Sequence, residues 1–520
     1  MPHTITIETL DALRDRAVAA ITEEARRLRG LRYADLRLEV SEGQAAAAEN
    51  GTEKFSSRDY GLSLGVRVIA GGRATAAGYF GRQLGAADLP SFHTVLRDAL
   101  GHAHRRALAS ARQKLHARRL GLLGEAITDT VLAPIPVRQA VVPARYEIDP
   151  RSVPLEKVLA LALEASKAIH GLGGAVQFNV VTALTALDRQ LFVSSEGAVI
   201  DQSSAVSEGF AYVVAAGDQG ACELYDSLGH QRGWELLERG CREPYIVQPD
   251  LLTWGLALAR DTVELTNAPE LPGTDHEVTV VLDPHFTALV AHEVIGHPSE
   301  LDRALKMETA YAGRCWFLRD LDESVVGQRV GSPALTAYSD PSLEGYGHYA
   351  FDDEGTPARR VVHIDRGIYR EFLNSRQTAA VLGVEPNGSY RAADATLVPL
   401  IRMSNTVIAT GDRDPQAILR EVDHGYYLVG HRIPSVAESR ENFRISAMKV
   451  YEIRNGELGQ LYRNGGITSD SKDFFMSIDA AGTDFRIFPI PNCGKGQPMQ
   501  TKRLGNGGPT IRARARLTGA

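Results

Sequence analysis

Within the stretch VLDPHFTALVAHEVIGHPSE, Val281 to Glu300, four residues with chemical potential fall inside six positions: His292, Glu293, Gly296 and His297. Two imidazoles beside a carboxylate are the parts of a metal-dependent hydrolase, with the imidazoles as neutral ligands and the carboxylate as the base that takes a proton from water. The familiar zinc-protease signature spaces its histidines four apart, on one helix face. Here the spacing is five, and at about 100° per residue the second imidazole lands about 140° round the helix from the first. An undistorted helix therefore cannot chelate with this pair. A π-type turn, hydrogen-bonded i→i+5, would return both rings to one side, and Gly296 leaves the backbone free to widen before His297. Spacing alone leaves two readings open: a metal pair on a distorted helix, or two satisfied histidines at a helix end.

A catalytic zinc site ordinarily has three protein ligands. Cys493, in IPNCGKGQP, follows the apolar run FRIFPI and is set in a Pro- and Gly-rich turn that could present a thiolate; its alternative is a small buried side chain. Cys222, Cys241 and Cys315 lack such a setting and read as packing. His285 lies on the face of His292, but its place in the first helical turn favours a surface or capping role. Asp352, Asp353 and Glu354 in FDDEGTP read as a turn before a strand rather than a second metal cluster. Arg402 and Asn405 in RMSNT either contact substrate backbone or pin a loop.

These residues need elements to hold them. EVTVVLDP predicts a buried strand running into Asp283, a good N-cap, and Pro284, suited to the first helical position; Pro298 must end that helix. Upstream, alternation at Leu36, Leu38 and Val40 and at Leu62, Leu64, Val66 and Val68 predicts a hairpin beside a leading helix from Ile7 to Leu28. A basic helix from Ser91 to Leu123 carries Arg105, Arg106, Arg112, Lys114, Arg118 and Arg119, most simply as a solvated face. The proline-bearing LAPIPVRQAVVPARYEIDPRSVP looks like a domain joint. Helices at Leu155–His170 and Leu251–Leu265 bracket a run of short strands that reads as an antiparallel meander. Hairpins are expected in VVHIDRGIYREFL and in MKVYEIRNGELGQLY, the second turning at Asn455-Gly456. The closing IRARARLTGA reads as a strand with a frayed tail. The fold class is multi-domain α+β, with largely antiparallel or mixed sheets and long helices, divided as 1–125, 126–270 and 271–520.

At 520 residues the chain has ample apolar content for two or three cores. Its net charge of −7, from 57 basic and 64 acidic residues, excludes a dedicated nucleic-acid binder. No apolar run approaches the ~18 residues of a membrane span. MPHTITIETLDALRDRA lacks the pattern of a secretory signal, and four scattered cysteines fit a reducing compartment, so a cytoplasmic protein with free thiols is expected.

An H-E-x-x-x-H helix after a strand, then FDDEGTP, then GSYRAADATLVPLIRMSNT, and finally CGKGQP, in that order, resembles the TldD/PmbA family of metallopeptidases. YADLRLEVSE and GLSLGVRVIAGG extend the likeness toward the N-terminus. The family has a TldD-like branch that carries the metal motif and a PmbA-like branch that lacks it; this chain carries the full motif. The resemblance implies one zinc ion per chain, bound by His292, His297 and Cys493, with Glu293 as the catalytic acid/base acting on the metal-bound water. It also implies hydrolysis of small or unfolded peptides, in turnover or in trimming modified peptides, and a dimer with a PmbA/TldE-like subunit or with itself. Two departures from the family's pattern stand out: Pro298 directly after His297, and GHRIPSVAESRENF where a glycine-rich stretch is usual. The competing readings are a non-catalytic PmbA-like partner subunit and a biosynthetic amide hydrolase.

Overall fold

The computed structural model describes residues 5–120, 129–305, 307, 315–318 and 323–519. The leading helical segment runs through an α-helix (Thr9–Ala19), a π turn (Ala20–Glu24) and a 3-10 turn (Ala25–Arg27). It leads into a seven-stranded sheet formed by β1 (Leu31–Glu49), β2 (Thr52–Gly71), β3 (Thr75–Leu84), β4 (Gln139–Val142), β5 (Val176–Ser194), β6 (Val199–Gly217) and β7 (Gly220–His230). The order is β3-β2-β1-β5-β6, with β4 and β7 both on β6. The strands are far longer than the alternation suggested, and β1 pairs antiparallel with β5 from Asp35↔Ser194 to Glu49↔Val180. The boundary expected near 125 thus falls between strands of one sheet. The proline-bearing stretch read as a joint also contributes to it, since β4 pairs parallel with β6.

One face of this sheet carries Leu36, Leu38, Val40, Leu62, Leu64, Val66 and Val68, all fully buried against the leading helix and the helix Phe92–Arg119. That helix turns Phe92, Leu96, Leu100 and Ala103 inward, while Arg105, Arg106, Arg112, Arg118 and Arg119 are exposed, as on a solvated face. The end of the expected helix at 121–123 lies outside the described residues. Helices Leu155–His170 and Leu251–Leu265 cover the other half of the sheet.

The alternate face of β1 and β2 is polar and buried. Arg37 reaches Asp353 at 2.6 Å, and Arg67 reaches Glu354 at 2.7 Å while also pairing with Asp35. Asp352 accepts the Glu354 and Thr356 N–H groups, each at 2.9 Å. FDDEGTP is therefore a turn, and two of its carboxylates also fasten the first sheet to the C-terminal region.

In that region five strands close on themselves. Val278–Leu282 pairs parallel with His424–Val436, which pairs with Asn442–Arg454, then Gly466–Asp470, then Ile511–Thr518, which returns to Val278–Leu282. The C-terminal strand is thus paired on both sides rather than peripheral. Both expected hairpins are present, and Asn455 and Gly456 adopt φ of 50° and 78° in the second turn. A third sheet ends in the strands Asn405–Ile408, Gln500–Gly508 and Arg486–Lys495, the last at its edge. The helix that follows the strand ending at Leu282 packs between the ring and this third sheet, in the largest core of the molecule. Among the described residues no helix is long and apolar enough to cross a membrane.

Candidate metal centre

Asp283 caps the central helix by accepting the Phe286 N–H at 2.7 Å, and Pro284 occupies its first turn. Regular α-helix runs from Pro284 to Val290 and then widens into a π turn at Ala291–Gly296, followed by a 3-10 turn at His297–Ser299. The distortion demanded by a five-residue spacing is present, and the His292 and His297 rings lie with centroids 4.8 Å apart, edge to face. Gly296 is required by packing: a Cβ there would sit 1.9 Å from Met403 Sδ.

Cys493 comes from the edge strand Arg486–Lys495, within the ladder rather than in the turn where the sequence placed it. Register shifts between Ile490 and Cys493, as at a bulge, which re-aims a side chain. Arg402 pins this hairpin through the carbonyls of Cys493 and Gln500, and Asn405 holds the Asp340 and Leu343 carbonyls, so both fasten backbone.

The ligand atoms of His292, His297 and Cys493 lie within 4.8 Å of one another, and Cys493 Sγ stands 3.5 Å from His297 Nε2. A tetrahedral ion with Zn–S of about 2.3 Å and Zn–N of about 2.0–2.1 Å sets an S···N separation of about 3.5 Å, so the donor set fits zinc. The outer shell fits as well. His292 Nδ1 donates to Asn506 Oδ1 at 3.0 Å, and the Asn506 amide is itself oriented by donating to the Thr406 carbonyl. His297 Nδ1 donates to Glu300 Oε2 at 3.0 Å. When neutral, both rings are thereby held as the tautomer that offers the Nε2 lone pair, the arrangement by which outer partners orient metal-binding histidines. Glu300 is neutralised in turn by Lys495 at 3.2 Å, which also pairs with Asp302 at 2.6 Å. Glu293, beside His292, forms an ion pair with Arg440 at 2.8 Å.

Electrostatics follow from this crowding. Burial opposes charge on His292, but the Cys493 thiolate overcomes it and lifts the imidazole to about 9. Burial likewise raises the Cys493 thiol, yet His297, Arg402 and His292 hold it well below the usual thiol range. For Glu293, burial is outweighed by His292, His297, Arg440 and Arg303, and the carboxyl stays below its ordinary range. The centre thus holds a ready thiolate and an ionised glutamate at neutral pH.

The structure brings together all four residues singled out in the sequence. Asn506, Glu300, Lys495 and Arg440 were missed; only the departure in GHRIPSVAESRENF marked the neighbourhood of Arg440. His285 does not join the centre but packs between His431 and Phe488 with its ring tilted to both. All four cysteines are free thiols; Cys315 donates to the Pro298 carbonyl, and burial lifts its thiol to about 12. Cys241 lies near His230 and Glu243, a second grouping of ligand-type residues. That grouping is already satisfied internally: Arg232 pairs with Glu243, and His230 Nδ1 accepts the Gln231 N–H, leaving Nε2–H to donate to Glu243.

A closed ring of strands beside a long sheet, with two buried histidines from a distorted helix end meeting a cysteine from an edge strand, defines an α+β protein with a candidate metal centre. Residues 275–518 match the PmbA/TldA metallopeptidase C-terminal domain. A protein named metalloprotease from Methanothermobacter thermautotrophicus is 30% identical over 63% of this chain and 66% of its own length. A zinc metalloprotease TldD homolog from Saccharolobus solfataricus is 31% identical over 46% of this chain and 50% of its own. The matches thus span about half to two thirds of the length of these relatives. TldE from Thermococcus kodakarensis superposes with a TM-score of 0.66 at 16% identity, covering 97% of this chain and 99% of that one. Residues 275–518 place the C-terminal region of this chain in the TldD/PmbA family.

Proposed function

We propose that this chain is a zinc-dependent peptidase acting on small or unfolded peptides, with His292, His297 and Cys493 as the metal ligands and Glu293 as the general base. The observation that carries the reading is the convergence of three ligand atoms within 4.8 Å, with Glu293 one residue from the first of them. A zinc ion held there would polarise a peptide carbonyl and acidify a water. The chain's own contribution is positional. Asn506 and Glu300 hold the imidazoles in their ligating tautomers, and Arg440 holds Glu293. Glu293, ionised at neutral pH, can accept a proton from the attacking water and deliver it to the departing amine. The peptide C–N bond breaks, and the products are a carboxylate and an amine.

We further propose a cytoplasmic setting and a dimer, with a TldE-like subunit or a second copy. The non-catalytic alternative is disfavoured by the intact donor set and by the oriented tautomers, which a mere binding subunit does not need. Elemental analysis of the purified chain, beside Cys493→Ala and Glu293→Gln in a peptide-cleavage assay, tests the reading. It expects about one zinc per chain, lost with Cys493→Ala, and retained without cleavage in Glu293→Gln. Failure of the wild type to take up zinc would overturn it.

A further inference from the structure

Arg440 has only a positional part in the assignment above, yet the fold goes to some length to place it. It lies in the turn between His424–Val436 and Asn442–Arg454 with φ of 63°, a left-handed conformation that costs a non-glycine residue of order 1 kcal/mol. Among the bonds that hold the turn, the Arg440 N–H donates to the Ala437 carbonyl at 2.9 Å, and the Arg440 carbonyl accepts from Ser471 Oγ at 2.6 Å. The side chain is directed inward, where Nη1 donates to Glu293 at 2.8 Å while the buried Nε has no partner among the described residues. A guanidinium offers five donors in a planar fork, shaped for a carboxylate. One bond to Glu293 leaves that fork largely unused.

Charge points the same way. Around the centre, the carboxylates of Glu293, Glu300 and Asp302 are paired with Arg303, Arg440 and Lys495. A divalent ion bound here would add positive charge to this buried group, and buried charge calls for a counter-charge. Access is to the same pair. As whole residues, Arg440 keeps 8% of its surface exposed and Glu293 is half-buried, against 3% to 4% for His292, His297 and Cys493. Of these five residues, Glu293 and Arg440 are the most open to an incoming group.

We propose that Arg440 is a receptor for a substrate carboxylate. The chain selects peptides with a carboxylate near the scissile bond, and that carboxylate draws the guanidinium from Glu293 and releases the base. This rests on the peptidase reading. Two sources share the chemistry, the α-carboxylate at a peptide's C-terminus and an aspartate side chain, and paired probes separate them.

The experiment is calorimetric titration of zinc-loaded Glu293→Gln, which holds peptides uncleaved, with a pentapeptide as free acid and as C-terminal amide, and with amidated pentapeptides containing Asp or Asn. One acid should bind about tenfold or more tightly than its neutral counterpart, the scale of a hydrogen bond to a charged group. That preference should shrink to about twofold or less in Glu293→Gln/Arg440→Gln. A preference in the first pair assigns the chain end; in the second pair, the acidic side chain. Equal binding within both pairs overturns the proposal without recourse to the double variant, and so does a preference that survives loss of Arg440. Binding of no peptide to a zinc-loaded chain overturns the peptidase reading along with it.

Discussion

Gly296→Ala tests whether the π turn is what makes the metal centre. The new Cβ would lie 1.9 Å from Met403 Sδ, 3.0 Å from its Cγ and 3.2 Å from its Cε. Ordinary carbon contacts need about 3.5–4.0 Å, so the shortfall is about 1.6–2 Å. Met403 is fully buried and its carbonyl accepts from Arg391, so the strain is shared between the methionine and the helix. Overpacking of this kind costs about 1–3 kcal/mol, offset by about 1 kcal/mol for replacing a helical glycine with alanine. The chain should still fold, with a net loss of roughly 0–2 kcal/mol. The proposed metal centre is far less tolerant, since ligand distances must hold within about 0.2 Å and His297 is the next residue. We expect zinc affinity, measured by competition with a chromophoric chelator, to fall by about 10–100-fold. Gly296→Ala/Met403→Ala should recover most of that loss, a non-additivity expected only if the two side chains collide. Wild-type affinity in the single variant, or no recovery in the double, would refute the reasoning.

Replacing Asn506 by Ala removes the acceptor that fixes the His292 tautomer and should weaken zinc by about tenfold or more at unchanged stoichiometry under saturating metal, read by the same titration. Lys495→Met leaves Glu300 and Asp302 buried without their shared cation and should lower stability by about 3–5 kcal/mol, read by urea denaturation; a loss below about 1 kcal/mol would mean that the pair is solvated. Zinc binding should strengthen with pH. In the ion-free chain His292 is held protonated up to about 9, so below that value a proton competes with the ion for Nε2. Affinity should therefore fall by up to about tenfold for each pH unit between 9 and 6, and a flat profile would contradict the thiolate–imidazolium pairing.

The helix was legible because its signals are local: Asp283 caps it, Pro284 opens it and Pro298 closes it. The need for a distortion was also legible, because five-residue spacing conflicts with 3.6 residues per turn. The kind of distortion was not written in the local pattern, since it depends on Gly296 meeting Met403, a contact made across the fold. Cys493 could be nominated from its setting, but its place in a strand could not, because a bulge depends on the partner strand. Asn506, Glu300, Arg440 and Lys495 carry no motif of their own. Asn506 meets His292 across 214 positions and Arg440 meets Glu293 across 147, so only the folded chain pairs them. FDDEGTP was legible as a turn, but not as a fastener, for the same reason: Arg37 and Arg67 lie about three hundred residues upstream.

The centre divides cleanly between two elements. The end of one helix supplies His292, Glu293, His297 and Glu300, and one hairpin supplies Cys493, Lys495 and Asn506. The hairpin answers His292 through Asn506, Glu300 through Lys495 and the paired imidazoles through Cys493, while Glu293 is answered by Arg440 from another turn. The hairpin lies at the edge of its sheet, where the outer strand has a neighbouring strand on one side only. An ion bound by both elements would therefore act as a clamp on that edge. Because it binds the docked arrangement and not the undocked one, it stabilises docking by RT ln(1 + [Zn]/Kd), about 2.7 kcal/mol at a hundredfold excess over Kd. Assembly of the reactive geometry and retention of the ion are then one equilibrium, and a change that loosens the hairpin should cost metal and activity together.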